Sequence, residues 1–187
     1  MYKNIETINT KSVYVVFSHS GTIPSKVIKW FTGDMYSHVS ISIDPTLRNL
    51  YSFARKRIYN PLNAGFVKEN FTTGIFGRNF ECVKCKVYEI KVTEEKYNNL
   101  CNIINEFKQN EDKFKYNLIG LMSPMTNIPI ERNNHYFCSQ FVSEALIKSE
   151  ILNINKRAVL LTPKALENQI HLEPFFEGTL KQLTSVI

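Results

Sequence analysis

Apolar and polar residues alternate strictly over residues 37–43, which is the pattern of a half-buried β-strand. One face of this predicted strand is apolar, and the other face is polar and carries His38. An apolar run at residues 12–17 predicts a buried strand before it, and the turn signal Asp44-Pro45 predicts a return strand over residues 50–53. The first third of the chain therefore favours antiparallel strands.

Helical spacing of apolar residues dominates the second half of the chain. Helices are predicted at about 24–32, from Glu94 onward, over 116–122, over 136–152 and from Pro163 onward. A long strand is predicted over Phe80–Val92, and residues 54–79 lack periodicity and contain prolines and glycines, so we predict a long loop there. The pattern predicts an α+β fold, and without repeats or linkers residues 1–187 are expected to form a single domain.

Composition excludes several classes of protein. The chain is 43% hydrophobic and 21% charged, as in ordinary globular proteins, and it carries no apolar run long enough to cross a membrane. Its net charge of +6 comes from scattered basic residues without a nucleic-acid-binding motif, so no nucleic acid partner is expected. The N-terminal residues lack an apolar signal core, which favours the cytoplasm.

Three of the four cysteines are interpreted as structural thiols. Cys82 and Cys85 are three residues apart in the predicted strand and would point to opposite faces, and no second pair completes a zinc site. Cys101 falls on the buried stripe of the helix that begins at Glu94. No metal or organic cofactor is expected.

Cys138 is the candidate nucleophile. It lies at the start of the helix predicted over 136–152, where unpaired backbone N–H groups and the helix dipole favour a thiolate. Its position on the apolar stripe of that helix directs the sulfur towards whatever the helix packs on. Cysteine is also among the most frequently buried residues, so a structural role is the alternative.

His38 is the candidate general base, because a histidine on the polar face of a strand is held rigidly but not as part of the core. His19, His135 and His171 are the competing candidates. None of the three is predicted to lie on an equally rigid strand.

The segments Tyr36-Ser-His-Val-Ser-Ile41 and Tyr136-Phe-Cys-Ser-Gln-Phe-Val142 resemble the circularly permuted branch of the NlpC-type papain-like superfamily. This branch includes the YiiX-like proteins and the lecithin retinol acyltransferase-like enzymes. In it the histidine strand precedes the cysteine helix, as His38 precedes Cys138 here, and Thr162-Pro163-Lys-Ala-Leu166 extends the similarity. The resemblance implies a circularly permuted papain-like fold, in which an antiparallel sheet packs against a helix that presents the nucleophilic cysteine at its N-terminus.

The resemblance also implies a third polar residue that orients His38. Tyr51 and Phe53 on the predicted return strand belong with the core, which leaves Ser52 for the polar face shared with His38. Ser52 is therefore predicted as the third catalytic residue, although the family often has His, Glu or Gln there. Glu69, in the predicted loop, is the alternative carboxylate.

The resulting expectation is a cysteine hydrolase that cleaves an amide, peptide or ester bond through a thioester. Its substrate would be a small molecule, a peptide or a lipid acyl group, and the sequence leaves the choice and the oligomeric state open. A lipid acyltransferase with peripheral membrane contact, and a binding module without turnover, are the alternatives.

Overall fold

The computed structural model of the protein describes residues 9–19, 35–57, 60–71 and 81–187. Within these ranges the fold is α+β, as predicted. The strands are β1 (Thr10–Ser18), β2 (His38–Ser42), β3 (Leu50–Arg57), β4 (Asn60–Glu69), β5 (Lys84–Thr93), β6 (Lys115–Tyr116), β7 (His135–Tyr136) and β8 (Phe176–Thr179). The helices are α1 (Glu94–Gln109), α2 (Ser123–Thr126), α3 (Cys138–Lys148), α4 (Pro163–Glu167) and α5 (Leu180–Leu183), with 3₁₀ turns at Ile119–Met122 and Ala158–Leu160. The helix predicted at 24–32 lies outside the described residues.

The described strands form one sheet in the order β7-β6-β4-β3-β2-β1-β5-β8. Neighbouring strands are antiparallel except β6 and β7, which are parallel with Tyr116 opposite Tyr136. The expectation of a purely antiparallel sheet is therefore wrong at this edge. Residues 117–134 supply the long crossover that a parallel pair requires.

The two faces of the sheet bury separate apolar clusters, because successive side chains of a strand point to opposite faces. Val15 and Phe17 of β1 belong to the larger cluster, which also contains residues of α1 and α3 such as Phe141. Val16 belongs to the smaller cluster, together with Leu180 of α5. Helix α3 thus packs on the sheet and touches β2 and β3.

The prediction of a long irregular loop over 54–79 is wrong for most of its length. Strand β3 continues to Arg57, and β4 occupies Asn60–Glu69; residues 72–80 lie outside the described residues. Gly65 permits a close approach: a Cβ atom there would lie 2.7 Å from the Phe114 carbonyl oxygen. The glycine that seemed to mark a loop instead allows the β6 backbone to pair beside β4.

Two predicted helix starts are confirmed by their caps. The Thr93 hydroxyl accepts a hydrogen bond from Lys96 N at the start of α1, and the Thr162 hydroxyl accepts one from Ala165 N at the start of α4. Cys101 of α1 is only partly buried, whereas the sequence predicted that it lies in the core.

Two predicted helices start later than expected because short strands replace their first residues. Tyr116 belongs to β6, and the 3₁₀ turn begins only at Ile119. Tyr136 belongs to β7, so α3 begins at Cys138 itself. None of the helices in the described ranges has the length and apolar composition that crossing a membrane would require.

Candidate active site

Cys138 is the first residue of α3, and strand pairing fixes the direction in which the chain enters that helix. Tyr136 pairs with Tyr116, and Asn117 N donates to the Tyr136 carbonyl at 2.9 Å. The N-cap residue, Phe137, has an extended conformation. Its side chain accepts no hydrogen bond from the first N–H groups of α3. The Cys138 side chain lies on the sheet side of the helix, and only 2% of the residue is exposed.

His38 is the first residue of β2, opposite Ser18 at the end of β1. Backbone pairing continues past it, since Ser37 N donates to the Ser18 carbonyl at 3.2 Å. His38 is buried, with 7% of its surface exposed. The sheet therefore holds the imidazole in one place on a strand that packs against the nucleophile's helix.

Glu69 is the carboxylate that faces His38. It is the last residue of β4, opposite Leu50, and its Oε2 lies 2.9 Å from His38 Nε2. Ser40 Oγ donates to the same oxygen at 2.8 Å and lies 3.3 Å from His38 Nε2. The carboxylate is thus fixed by two side chains of β2, and one of them is the candidate base.

The predicted role of Ser52 as the residue that orients His38 is wrong. Ser52 is fully buried, and its hydroxyl donates to the Val39 carbonyl at 2.7 Å. The alternation of side chains along β3 was predicted correctly, but the hydroxyl meets the backbone of β2 and not the imidazole. The side chain that meets His38 Nε2 is that of Glu69, the alternative carboxylate.

His38 also makes a side-chain hydrogen bond with Cys138. Burial by itself lowers the pKa of His38, but the charge of Glu69 and the hydrogen bonds with Cys138 and Glu69 outweigh burial and raise it to about 10. The structure therefore joins Cys138, His38 and Glu69 in one chain of contacts whose imidazole is charged at neutral pH.

Tyr116 is a further residue near the thiol that sequence analysis did not identify. Burial, and then the charge of Cys138, raise the pKa of Tyr116 well above its usual value of 10. The phenol is therefore protonated at neutral pH. No local pattern could have revealed it, because its proximity depends on the pairing of β6 with β7.

The competing histidines have other partners or lie on the surface. His135 Nδ1 meets the Asn133 carbonyl oxygen at 2.7 Å, and His19 Nδ1 lies 3.4 Å from Ser37 Oγ. His171 is exposed. His38 is the histidine that the fold brings to Cys138.

The remaining three cysteines are free thiols, and of these only Cys85 is buried. Cys82 is exposed in the turn before β5, so only Cys85 lies on that strand. Burial raises the pKa of Cys85 to about 12, and burial also raises the pKa of Cys101. Among the described residues, no group of three or more His, Cys, Asp or Glu side chains could hold a metal ion.

Comparisons with known family models, curated proteins and solved structures found no match for this chain.

Proposed function

We propose that the protein is a cysteine-dependent acyl hydrolase of the permuted papain-like type, with Cys138 as nucleophile, His38 as acid and base, and Glu69 as the residue that orients His38. The observation that carries the proposal is that the imidazole contacts Cys138 on one side and the Glu69 carboxylate on the other. Cys138 lies at the N-terminus of α3 and has the charged imidazole of His38 beside it. This is the environment that a nucleophilic cysteine needs at neutral pH.

In the first step, Cys138 sulfur attacks the carbonyl carbon of the substrate and forms a C–S bond. Backbone N–H groups at the start of α3 are the donors for the oxyanion that develops. His38 gives its proton to the leaving amine or alcohol as the C–N or C–O bond breaks. A thioester remains on Cys138.

In the second step, neutral His38 takes a proton from water, and the resulting hydroxide attacks the thioester carbon. The C–S bond breaks, the acid is released, and the thiolate–imidazolium pair is restored. The carboxylate of Glu69, held by Ser40, keeps the ring in one orientation and stabilises each return of the proton to His38. The four free thiols of the chain fit a reducing compartment such as the cytoplasm.

The test is to trap the thioester. The full chain would be incubated with a panel of p-nitrophenyl esters, peptide amides and phospholipids, and its intact mass followed by mass spectrometry. We expect a mass increase equal to one acyl group, mapped to Cys138, that is absent in Cys138→Ala and retained in Cys82→Ala. An acyl group on a different cysteine would contradict the proposal.

A binding module without turnover is the second candidate, favoured by the burial of both Cys138 and His38. The same experiment separates the two functions. Binding of a panel member without any acyl transfer, in a protein whose Cys138 stays free, would support the module and exclude the hydrolase for that ligand.

A further inference from the structure

A polar cleft runs along a face of α3 that differs from the face of Cys138. The α3 residues that line it are Gln140, Glu144, Ile147 and Lys148, which follow helical spacing. Residues 131–134 before the helix and residues 154–158 after it complete its walls. Its volume of about 710 Å³ is within the range of sites that hold small ligands or short peptide segments.

Gln140 gives this cleft an unsatisfied polar group. Only 4% of Gln140 is exposed, and its Oε1 is buried without a hydrogen-bond partner. Leaving a buried acceptor unpaired costs free energy, and few such groups occur in a folded protein. Gln140 lines the cleft, so a ligand that brings an N–H group would satisfy this buried acceptor once the side chain turns towards the cleft.

The charges of the cleft favour an anionic ligand. Both of its carboxylates are already paired: Glu131 with Arg157 at 2.7 Å and Glu144 with Lys148 at 2.6 Å. Arg132 and Lys156 are additional cations on the walls. The described lining therefore has four cations and two carboxylates, an excess of two positive charges.

We propose that this cleft binds an acidic peptide segment. A backbone N–H of the peptide would donate to Gln140 Oε1, and a carboxylate would meet Arg132 and Lys156. The lining also contains Ile147 and Ile154, which can take the aliphatic part of the ligand. This binding site goes beyond the proposed function, because it does not require Cys138 to react.

Binding can be measured by isothermal titration calorimetry on the full chain carrying Cys138→Ser, which prevents turnover of the probe. The probe is acetyl-Ala-Glu-Ala with a free C-terminal carboxylate. Replacing Glu by Gln, amidating the C-terminus, or both, distinguishes a side-chain carboxylate from a terminal one. We expect the doubly neutral peptide to bind about tenfold or more weakly, and added NaCl to weaken binding of the acidic peptide.

Substitutions locate the site. Gln140→Met keeps the size of the side chain but removes the acceptor, and we expect affinity to fall about tenfold while the melting temperature stays the same or rises. Arg132→Gln with Lys156→Gln should remove the preference for the acidic peptide. Lys84→Gln, on an exposed position of β5, is the matched control and should bind as the parent does.

Equal binding of the acidic and neutral peptides would overturn the proposal, as would unchanged affinity in Gln140→Met. Amide shifts in ¹⁵N–¹H spectra of the parent chain provide a second test if a variant fails to fold. We expect peptide-induced shifts at Asn133 and Asn155, which line the cleft. Shifts confined to other parts of the chain would also refute the cleft as the binding site.

Discussion

The contact between Glu69 and His38 makes a specific prediction about the protonation of the imidazole. Glu69→Gln removes the charge but keeps a side chain that can hydrogen-bond at the same place. Because burial lowers the pKa of His38 and Glu69 opposes this, the substitution should lower that pKa from about 10. Cys138 still raises the pKa of His38 in the variant, so this pKa should stay above the value that burial alone would give.

The size of the effect follows from the 2.9 Å between Nε2 and Oε2. Opposite unit charges at this distance attract by about 6 kcal/mol at an effective dielectric constant of about 20, which equals about 10⁴-fold in the affinity of the imidazole for its proton. This is an upper limit, since the glutamine retains a hydrogen bond. We therefore expect the pKa of His38 in Glu69→Gln to fall by less than about four units from about 10, to a value between about 6 and 10.

The assay is an NMR titration of the histidine Cε1–Hε1 signals between pH 5 and 10. The chain has four histidines, so His19, His135 and His171 serve as internal references. In the wild type, His38 should stay charged through pH 8, whereas Glu69→Gln should bring its midpoint into the measured range. Ser52→Ala is the control and should leave the midpoint of His38 unchanged, because its hydroxyl bonds to the Val39 carbonyl. Titration of wild-type His38 near pH 6.5, or no change in Glu69→Gln, would refute the reasoning.

Three further predictions concern activity and stability. His38→Ala should keep the fold, as measured by circular dichroism, but lower turnover of a substrate identified by the trapping experiment by about 10²–10⁴-fold. Near-normal turnover would exclude His38 as the base. Ser52→Ala should lower the free energy of unfolding by about 1 kcal/mol in urea melts and turnover by about tenfold or less, and a larger loss of turnover at wild-type stability would return Ser52 to the site. The raised pKa of His38 stabilises the fold fully below about pH 6.5, and this stabilisation is lost as pH rises through about 10. The stability difference between wild type and Glu69→Gln should therefore narrow between pH 6.5 and pH 10 in urea melts, and a difference that widens would contradict the sign.

The strand carrying His38 and the helix carrying Cys138 were predictable because both signals are local. Alternation fixes the faces of a strand, and the apolar stripe of a helix fixes the side on which its first residue lies. The caps at Thr93 and Thr162 were equally local. The positions of His38 on a strand and of Cys138 near a helix start could therefore be predicted from the sequence.

The sequence could name Glu69 only as an alternative, and Tyr116 not at all, because long-range pairing places both residues. Glu69 lies at the end of β4, which the sequence pattern predicted as loop, in part because it contains Gly65. That glycine instead lets the β6 backbone approach β4. The predicted loop made Ser52 look like the nearer acceptor. Tyr116 depends on the parallel pairing of two-residue strands, which is too short to produce a recognisable pattern.

The most direct test of the central claim, that His38 activates Cys138, is the order in which the cysteines react. Limiting iodoacetamide at pH 7, followed by peptide mass mapping, compares Cys138, which is 2% exposed, with the exposed Cys82. Exposure alone would favour Cys82, whereas activation by the imidazole and the helix N-terminus favours Cys138. We predict that Cys138 is labelled first in the wild type and loses this preference in His38→Ala. Labelling of Cys82 ahead of Cys138 in the folded wild-type protein would contradict the account.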